Sequence, residues 1–158
     1  DSVKVHARTL NVSSQQTGKL LHEARGLDRI DLMADDTRVG PLQLSGVGLR
    51  KRGRRLSAYG YSSNEAVQSA LPAGFSVQLL ASGGGKVEVR ASGGLFGVGA
   101  SVDAVAEAEA GKLVVRPRGF LVEALKLTLF SDPRVQIEGV AAERNPAGYY
   151  LGITASLR

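Results

Sequence analysis

Phe75–Arg118 reads FSVQLLASGGGKVEVRASGGLFGVGASVDAVAEAEAGKLVVRPR. Apolar side chains occupy nearly every second position from Phe75 to Ala81, from Val87 to Ala91 and from Phe96 to Ala110. A period of two held this long is typical of antiparallel strands with one face buried and one in water. The breaks between the runs are rich in glycine, which accepts the positive φ of tight hairpin turns. The stretch therefore predicts a long meander, lined on its inner face by small and medium apolar groups.

The segments on either side of the meander also alternate and predict further strands. These begin near Val3, Ile30, Val39, Leu56, Leu113, Val135 and Tyr149. In the strand from Val39 to Arg50 the apolar phase changes near Gly46, which predicts a β-bulge there.

Two short helices are predicted between the strands. Ser13 and Gln16 have the spacing of a capping box, with Gly26 as a C-terminal cap. Ser62 and Glu65 form a second capping box, and Pro72 is expected to stop that helix. Residues 120–130 fit both a helix and a strand, and their length and lack of glycine favour a helix.

The length of 158 residues is that of one domain, residues 1–158, able to bury a core of its own. Strands interrupted by two or three short helices predict an α+β fold. We expect one large, strongly curved, mainly antiparallel sheet with the helices packed on its concave face. Only 5% of residues are aromatic and 20 are glycine, so this core is either thin or leaves space.

Charge and residue usage exclude several classes of function. There is no cysteine, so neither disulfides nor thiol chemistry can occur. His6 and His22 lie in no pattern typical of a catalytic base or a metal ligand, and Lys86 is followed by Val87 where a phosphate-binding loop needs a hydroxyl. We therefore predict a protein without catalysis, metal or cofactor.

The net charge of +5 indicates an anionic partner. Its densest source is the predicted hairpin tip from Arg50 to Arg55, which contains five basic residues. Such a tip either blocks edge pairing or docks on an anionic membrane surface, where each basic group contributes about 1 kcal/mol. Nucleic acid also fits the charge, but no stacking aromatic residues are interleaved with the cluster.

Several stretches together resemble a known family. They are GLDRIDLMADD (26–36), VGPLQL (39–44), SNEAVQSAL (63–71), GKVEV (85–89), GKLVVRP (111–117) and the closing strand 149–157. In these the chain resembles the LmeA-like phospholipid-binding domains of bacterial, especially actinobacterial, envelopes. The resemblance implies a non-enzymatic lipid-binding protein outside the cytoplasm. It also implies a shape related to tubular lipid-binding domains, in which a curved sheet wraps a helix and encloses acyl chains.

The predicted function is binding of phospholipid or fatty-acyl chains in an apolar cavity between the sheet and the helices, with a membrane surface as partner and no nucleic acid. Amphipathic position assigns the cavity wall to Leu20, Leu21, Val67, Leu71, Phe75, Leu121, Leu125 and Leu129. Anionic headgroups are expected at Arg52, Arg54 and Arg55. The alternative is a structural or adhesive envelope domain with a filled core and a basic docking face, for example for acidic glycan.

Overall fold

A computed structural model describes residues 1–12, 19, 22–39, 41–71, 73–93, 101–118 and 126–158. Of these residues 73% lie in strands and 8% are helical, so the protein is mainly β. The strands are β1 (Ser2–Val12), β2 (Arg29–Val39), β3 (Leu42–Arg52), β4 (Arg55–Ser63), β5 (Ser76–Gly83), β6 (Lys86–Ser92), β7 (Ser101–Glu109), β8 (Lys112–Pro117), β9 (Leu127–Phe130), β10 (Val135–Asn145) and β11 (Gly148–Leu157). Helix α1 spans Asn64–Ala70, and residues 19 and 22–24 are also helical.

The strands form two sheets. One has six strands in the order β1-β2-β3-β4-β11-β10, and the other has five in the order β5-β6-β7-β8-β9. The α+β prediction, with one large curved sheet and helices on its concave face, is therefore wrong. Strands β5 to β9, which follow α1, pair only with one another and make a sheet of their own, and the chain rejoins the first sheet at β10. Helix α1 touches β3, β4 and β11 and has no buried residue.

Within the six-stranded sheet the β1–β2 pair is parallel, and the other pairs are antiparallel. A parallel pair needs a connection that crosses one face of the sheet. Two hydrogen bonds tie the described end of this connection to the end of the sheet that carries the β3–β4 turn, which we call the hairpin end. Lys51 Nζ donates to the Leu27 carbonyl, and Arg25 Nη2 donates to the Arg158 carbonyl at 2.6 Å.

The predicted bulge at Gly46 is confirmed. The pairing of β3 with β4 shifts by one residue between Ser45 and Gly48, and Gly46 has a φ of 58°. The left-handed conformation suits glycine because it has no Cβ to clash with the backbone. The bulge therefore explains the change of apolar phase seen in the sequence of this strand.

The predicted meander is confirmed as strands β5 to β8 of the five-stranded sheet. Gly84 and Gly85 make the β5–β6 turn with φ angles of 60° and 79°, and Gly111 makes the β7–β8 turn at 77°. Residues 96–100, predicted as strand, lie outside the described residues.

Residues 127–130 form strand β9, paired with β8, so the helix favoured for 120–130 is wrong in this part. The alternation of Leu127 and Leu129 was the correct indication there. Residues 119–125 lie outside the described part of the chain.

Helix α1 begins one residue later than the sequence predicts. Ser63, rather than Ser62, is the N-cap, and its Oγ accepts a hydrogen bond from the Ala66 amide at 3.1 Å. Ser62 is buried at the end of β4, where its hydroxyl donates to the Gln43 carbonyl at 3.0 Å. The helix ends with Leu71 as its C-cap. Pro72, Ser13 and Gln16 lie outside the described residues.

The hydrophobic core lies where the two sheets meet along β10. Its buried cluster consists of Val135, Ile137, Ala155 and Leu157, with Leu56, Ala108, Leu113, Phe130 and Ile153 packed against it. The Val140 amide donates to the Gly85 carbonyl at 3.0 Å and the Ile137 amide to the Gly111 carbonyl at 2.9 Å. Hairpin turns of the second sheet thus cover the edge strand of the first, which protects it from pairing with other chains.

Candidate functional site: an aliphatic face and a basic end

One side of the six-stranded sheet carries a row of six apolar residues. In the strand register Val5 pairs with Leu32, Leu32 with Leu49 and Leu49 with Ala58. Ala58 pairs with Ile153, which pairs with Val140 on the last strand. Side chains directly opposite in a sheet lie on the same face. We call this row and its neighbours on the same side the aliphatic face.

The aliphatic face is covered unevenly. No member of the row is fully buried: Val5 is 44% exposed, and the other five are half-buried. In the next row toward the hairpin end, Ala155 and Ile137 are 5% and 4% exposed where the second sheet packs, whereas Val3 is 37% exposed. This row is therefore buried at β10 and β11 and most exposed at β1.

The dimensions of the row suit a hydrocarbon chain. Strands lie about 4.8 Å apart, so six strands span about 24 Å. The hydrocarbon core of a bilayer is about 30 Å thick, which leaves about 15 Å for the acyl chains of one leaflet. A single acyl chain therefore fits along the row.

A buried cation lies on this face next to the apolar row. Lys51 lies in register between Ile30 and Leu56 and is 3% exposed. Burying an ammonium group is costly unless it is hydrogen-bonded, and Nζ donates to the Leu27 carbonyl. Lys51 was counted in the basic tip from sequence, but the alternation of β3 turns it away from Arg50 and Arg52.

Three arginines lie in register at the same end of the sheet, on the side opposite the aliphatic face. Arg29 on β2 pairs with Arg52 on β3, and Arg52 pairs with Arg55 on β4. We call them the arginine row. Like charges directly opposite one another are destabilising, so this arrangement favours a bound anion. Within the described part of the chain, the side chains of Arg29 and Arg55 form no ion pair or hydrogen bond.

The other arginines of this end have protein partners. Arg52 Nη2 lies 3.0 and 2.9 Å from the two carboxylate oxygens of Asp31, and Arg50 Nε lies 3.3 Å from one of them. These bonds hold the pKa of Asp31 below its usual value, and the bond from Arg52 is the largest cause. Arg54 Nε donates to the Leu157 carbonyl at 2.9 Å. Of the three predicted headgroup residues, Arg55 is thus the one without a protein partner among the described residues.

The predicted cavity-wall residues do not form one wall where they are described. Val67 and Leu71 are half-buried in and just after α1. Phe75 precedes β5 and packs against Gly93, whereas Leu129 is 55% exposed on β9, at the opposite edge of that sheet. Leu20, Leu21, Leu121 and Leu125 lie outside the described residues.

The aliphatic row was missed in sequence because each strand was considered alone. Alternation shows which residues of a strand share a face, but not which strand lies beside which. Val5, Leu32 and Ile153 are far apart in sequence and come together through the parallel β1–β2 pair and the insertion of β11 beside β4.

The described residues contain no cluster of three or more acidic, histidine or cysteine side chains able to hold a metal ion. His6 Nε2 and Asp35 Oδ1 lie 2.8 Å apart, and both side chains are more than half exposed. In the described part of the chain no helix has the length and apolar character that crossing a membrane requires.

Comparison with protein-family models, with curated proteins and with solved structures found no match. The resemblance to LmeA-like domains therefore rests on the sequence stretches quoted above.

Proposed function

We propose that this domain binds phospholipid or fatty-acyl chains on the aliphatic face, with the anionic headgroup at the arginine-rich end. The proposal rests mainly on one observation: six aliphatic residues in register across six strands, none of them fully buried. Together with the sequence resemblance, it supports a non-enzymatic envelope protein acting outside the cytoplasm.

The hydrophobic effect supplies the affinity in this proposal. Each methylene moved from water to an apolar surface contributes about 0.8 kcal/mol. Contiguous exposed apolar surface is uncommon on soluble proteins unless it binds something. Here it extends toward β1, where Val3 and Val5 remain 37% and 44% exposed.

The charges at the hairpin end supply the orientation. Lys51 places a cation on the aliphatic face itself, beside the apolar row, and Arg54 lies in the turn between β3 and β4 at the same end. Guanidinium groups bind phosphate through paired, charge-assisted hydrogen bonds. A phospholipid would therefore lie with its acyl chain on the aliphatic face and its phosphate at the hairpin end of β3 and β4.

Displacement of a fluorescent fatty acid tests the proposal, with native mass spectrometry of protein purified without detergent as a second measurement. Ala58 lies in the middle of the row, and Ala58→Leu would fill space there. Ala141 is exposed on β10 on the other side of the sheet, so Ala141→Leu is a matched control.

We expect saturable uptake by the wild type and by Ala141→Leu, and uptake weakened at least fivefold in Ala58→Leu. Absence of saturable uptake in the wild type would overturn the proposal. If such a protein still bound anionic vesicles, the alternative of a filled domain with a basic docking face would replace it.

A further inference from the structure

The other side of the six-stranded sheet has an exposed aromatic surface that the lipid proposal does not use. Tyr59 and Tyr61 alternate along β4, and Tyr150 on β11 lies directly opposite Tyr61. Tyr59 and Tyr150 are 48% and 54% exposed. We call these three residues and the two glycines beside Tyr59, Gly48 and Gly152, the tyrosine face.

The ring of Tyr59 is supported from beneath. It lies over Gly48 on β3, so closely that a Cβ on that glycine would overlap with the ring. Its hydroxyl lies 3.5 Å from the sulfur of Met33 on the next strand. With nearly half of the side chain exposed, the outer surface of the ring faces solvent. The ring borders a shallow depression that Asp31 and Arg50 also line.

The surface of the sheet is open on the far side of Tyr59, at Gly152. A Cβ added to Gly152 would meet nothing closer than the Ala58 carbonyl at 3.9 Å. Two residues further along the strands, the rings of Tyr61 and Tyr150 pack against each other with centroids 5.0 Å apart. The tyrosine face thus has an exposed aromatic ring beside an unoccupied part of the sheet surface, where a flat ligand can lie.

At the hairpin end of this face the charged groups are mostly positive, whereas Glu143 on β10 lies directly opposite Tyr150 at the other end. Lys4, Arg50 and the arginine row share this side of the sheet with Asp31, whose carboxylate is already bound by two arginines. In contrast, four cations of the five-stranded sheet are paired with carboxylates. The pairs are Lys86–Glu107, Arg90–Asp103, Arg116–Glu109 and Arg118–Glu88. The unbalanced positive charge is therefore concentrated at the hairpin end of the tyrosine face.

We infer that the tyrosine face and the arginine row together bind an acidic polysaccharide. The C–H surface of a sugar ring stacks on the negative face of Tyr59, and the carboxylates of the polymer pair with Arg29 and Arg55. Along β4, Tyr59 and Arg55 are four residues apart, about 13 Å. The ligand must therefore be longer than one sugar unit to reach both.

A polysaccharide fits these observations better than a membrane surface does. Residues that anchor a protein at a bilayer insert amphipathic side chains into the interface, whereas the ring of Tyr59 lies against the backbone of the sheet. The depression beside Tyr59 holds both a carboxylate and a guanidinium, which can bond hydroxyl groups as acceptor and donor. This site is on the opposite side of the sheet from the aliphatic face and does not depend on lipid binding.

Retention on immobilised polygalacturonate, a carboxylated polysaccharide, tests the inference, with neutral dextran as the control matrix. The informative variants are Tyr59→Leu, which removes the stacking ring, and Arg29→Gln with Arg55→Gln, which removes the unpaired cations. Lys112→Gln, at an exposed position on the other sheet, shows the effect of removing one positive charge away from this site. Circular dichroism and fatty-acid uptake, measured on every variant, show whether its fold and the aliphatic face are retained.

We expect the wild type to bind polygalacturonate and not dextran. Binding should weaken about fivefold in Tyr59→Leu and at least tenfold in the double arginine variant. Lys112→Gln should bind like the wild type. If Tyr59→Leu binds as the wild type does, the attraction is charge alone and the site is overturned. Binding of anionic vesicles without any binding of polygalacturonate would likewise overturn it, in favour of a membrane surface.

Discussion

The ring of Tyr59 lies on the backbone of Gly48, its direct partner on the neighbouring strand, and a Cβ at position 48 would come within 2.6 Å of ring atom Cε1. Gly48→Ala should therefore push the ring away from the sheet. Because the ring is the mobile end of an exposed side chain, we expect the free energy of unfolding to change by less than about 1 kcal/mol. Urea denaturation measures this, and polygalacturonate binding should fall in parallel.

Gly152→Ala is the matched control on the other side of Tyr59, where a Cβ meets no atom closer than 3.9 Å. It should leave the ring in place and preserve binding. Equal binding by both alanine variants would show that the position of the ring does not matter for the polysaccharide.

Gly148 begins β11 beside the end of β4, and its substitution should be much more costly. A Cβ there would lie 2.8 Å from the Cα of Ser63 and 2.7 Å from the hydroxyl oxygen of Tyr61. Backbone cannot move aside as a flexible side chain can, so Gly148→Ala should lower the free energy of unfolding by about 1–3 kcal/mol. Urea denaturation checks this against Gly26→Ala, where a Cβ meets nothing within 4 Å. Equal stability of the two variants would contradict the prediction.

The junction of the two sheets should dominate stability. Ile137 is 4% exposed in the core cluster, so Ile137→Ala should leave a cavity and lower the free energy of unfolding by about 2–5 kcal/mol. Leu129→Ala removes an aliphatic side chain that is 55% exposed and should cost less than about 1 kcal/mol. Thermal and urea unfolding measure both. Should Leu129→Ala prove as damaging as Ile137→Ala, the core would have to extend beneath β9.

The Asp103 carboxylate should titrate below its ordinary pKa of 3.8, because Arg90 donates to it at 2.7 and 3.0 Å. A carboxylate whose pKa is lower when folded stabilises the fold at neutral pH. This contribution is lost as the pH falls from the unfolded pKa through the folded one. Carbon NMR of the Asp103 carboxyl group measures the midpoint of its titration, which should rise toward 3.8 in Arg90→Gln. A midpoint at or above 3.8 in the wild type would show that the pair does not persist in solution.

Local features of the fold were predictable from sequence because their causes are local. Alternation predicted the strands of the meander, glycine predicted its turns, and the phase change at Gly46 predicted the bulge. The N-cap was misplaced by one residue because Ser62 and Ser63 are both acceptable caps. Ser63 is the cap because the Ser62 hydroxyl donates instead to the Gln43 carbonyl on another strand.

The chain's own residues determine where its strands turn and which side chains within a strand share a face, since both depend on neighbours a few positions away. The tertiary structure alone decided that β10 pairs with β11 and not with the strands of the meander. It also decided that Val5 and Ile153 belong to one row, and that Arg29, Arg52 and Arg55 lie side by side. Strand pairing depends on contacts between segments distant in sequence, and alternation is the same whichever strand lies alongside. Both proposed binding surfaces are made by such pairings, so neither could be located from the sequence alone.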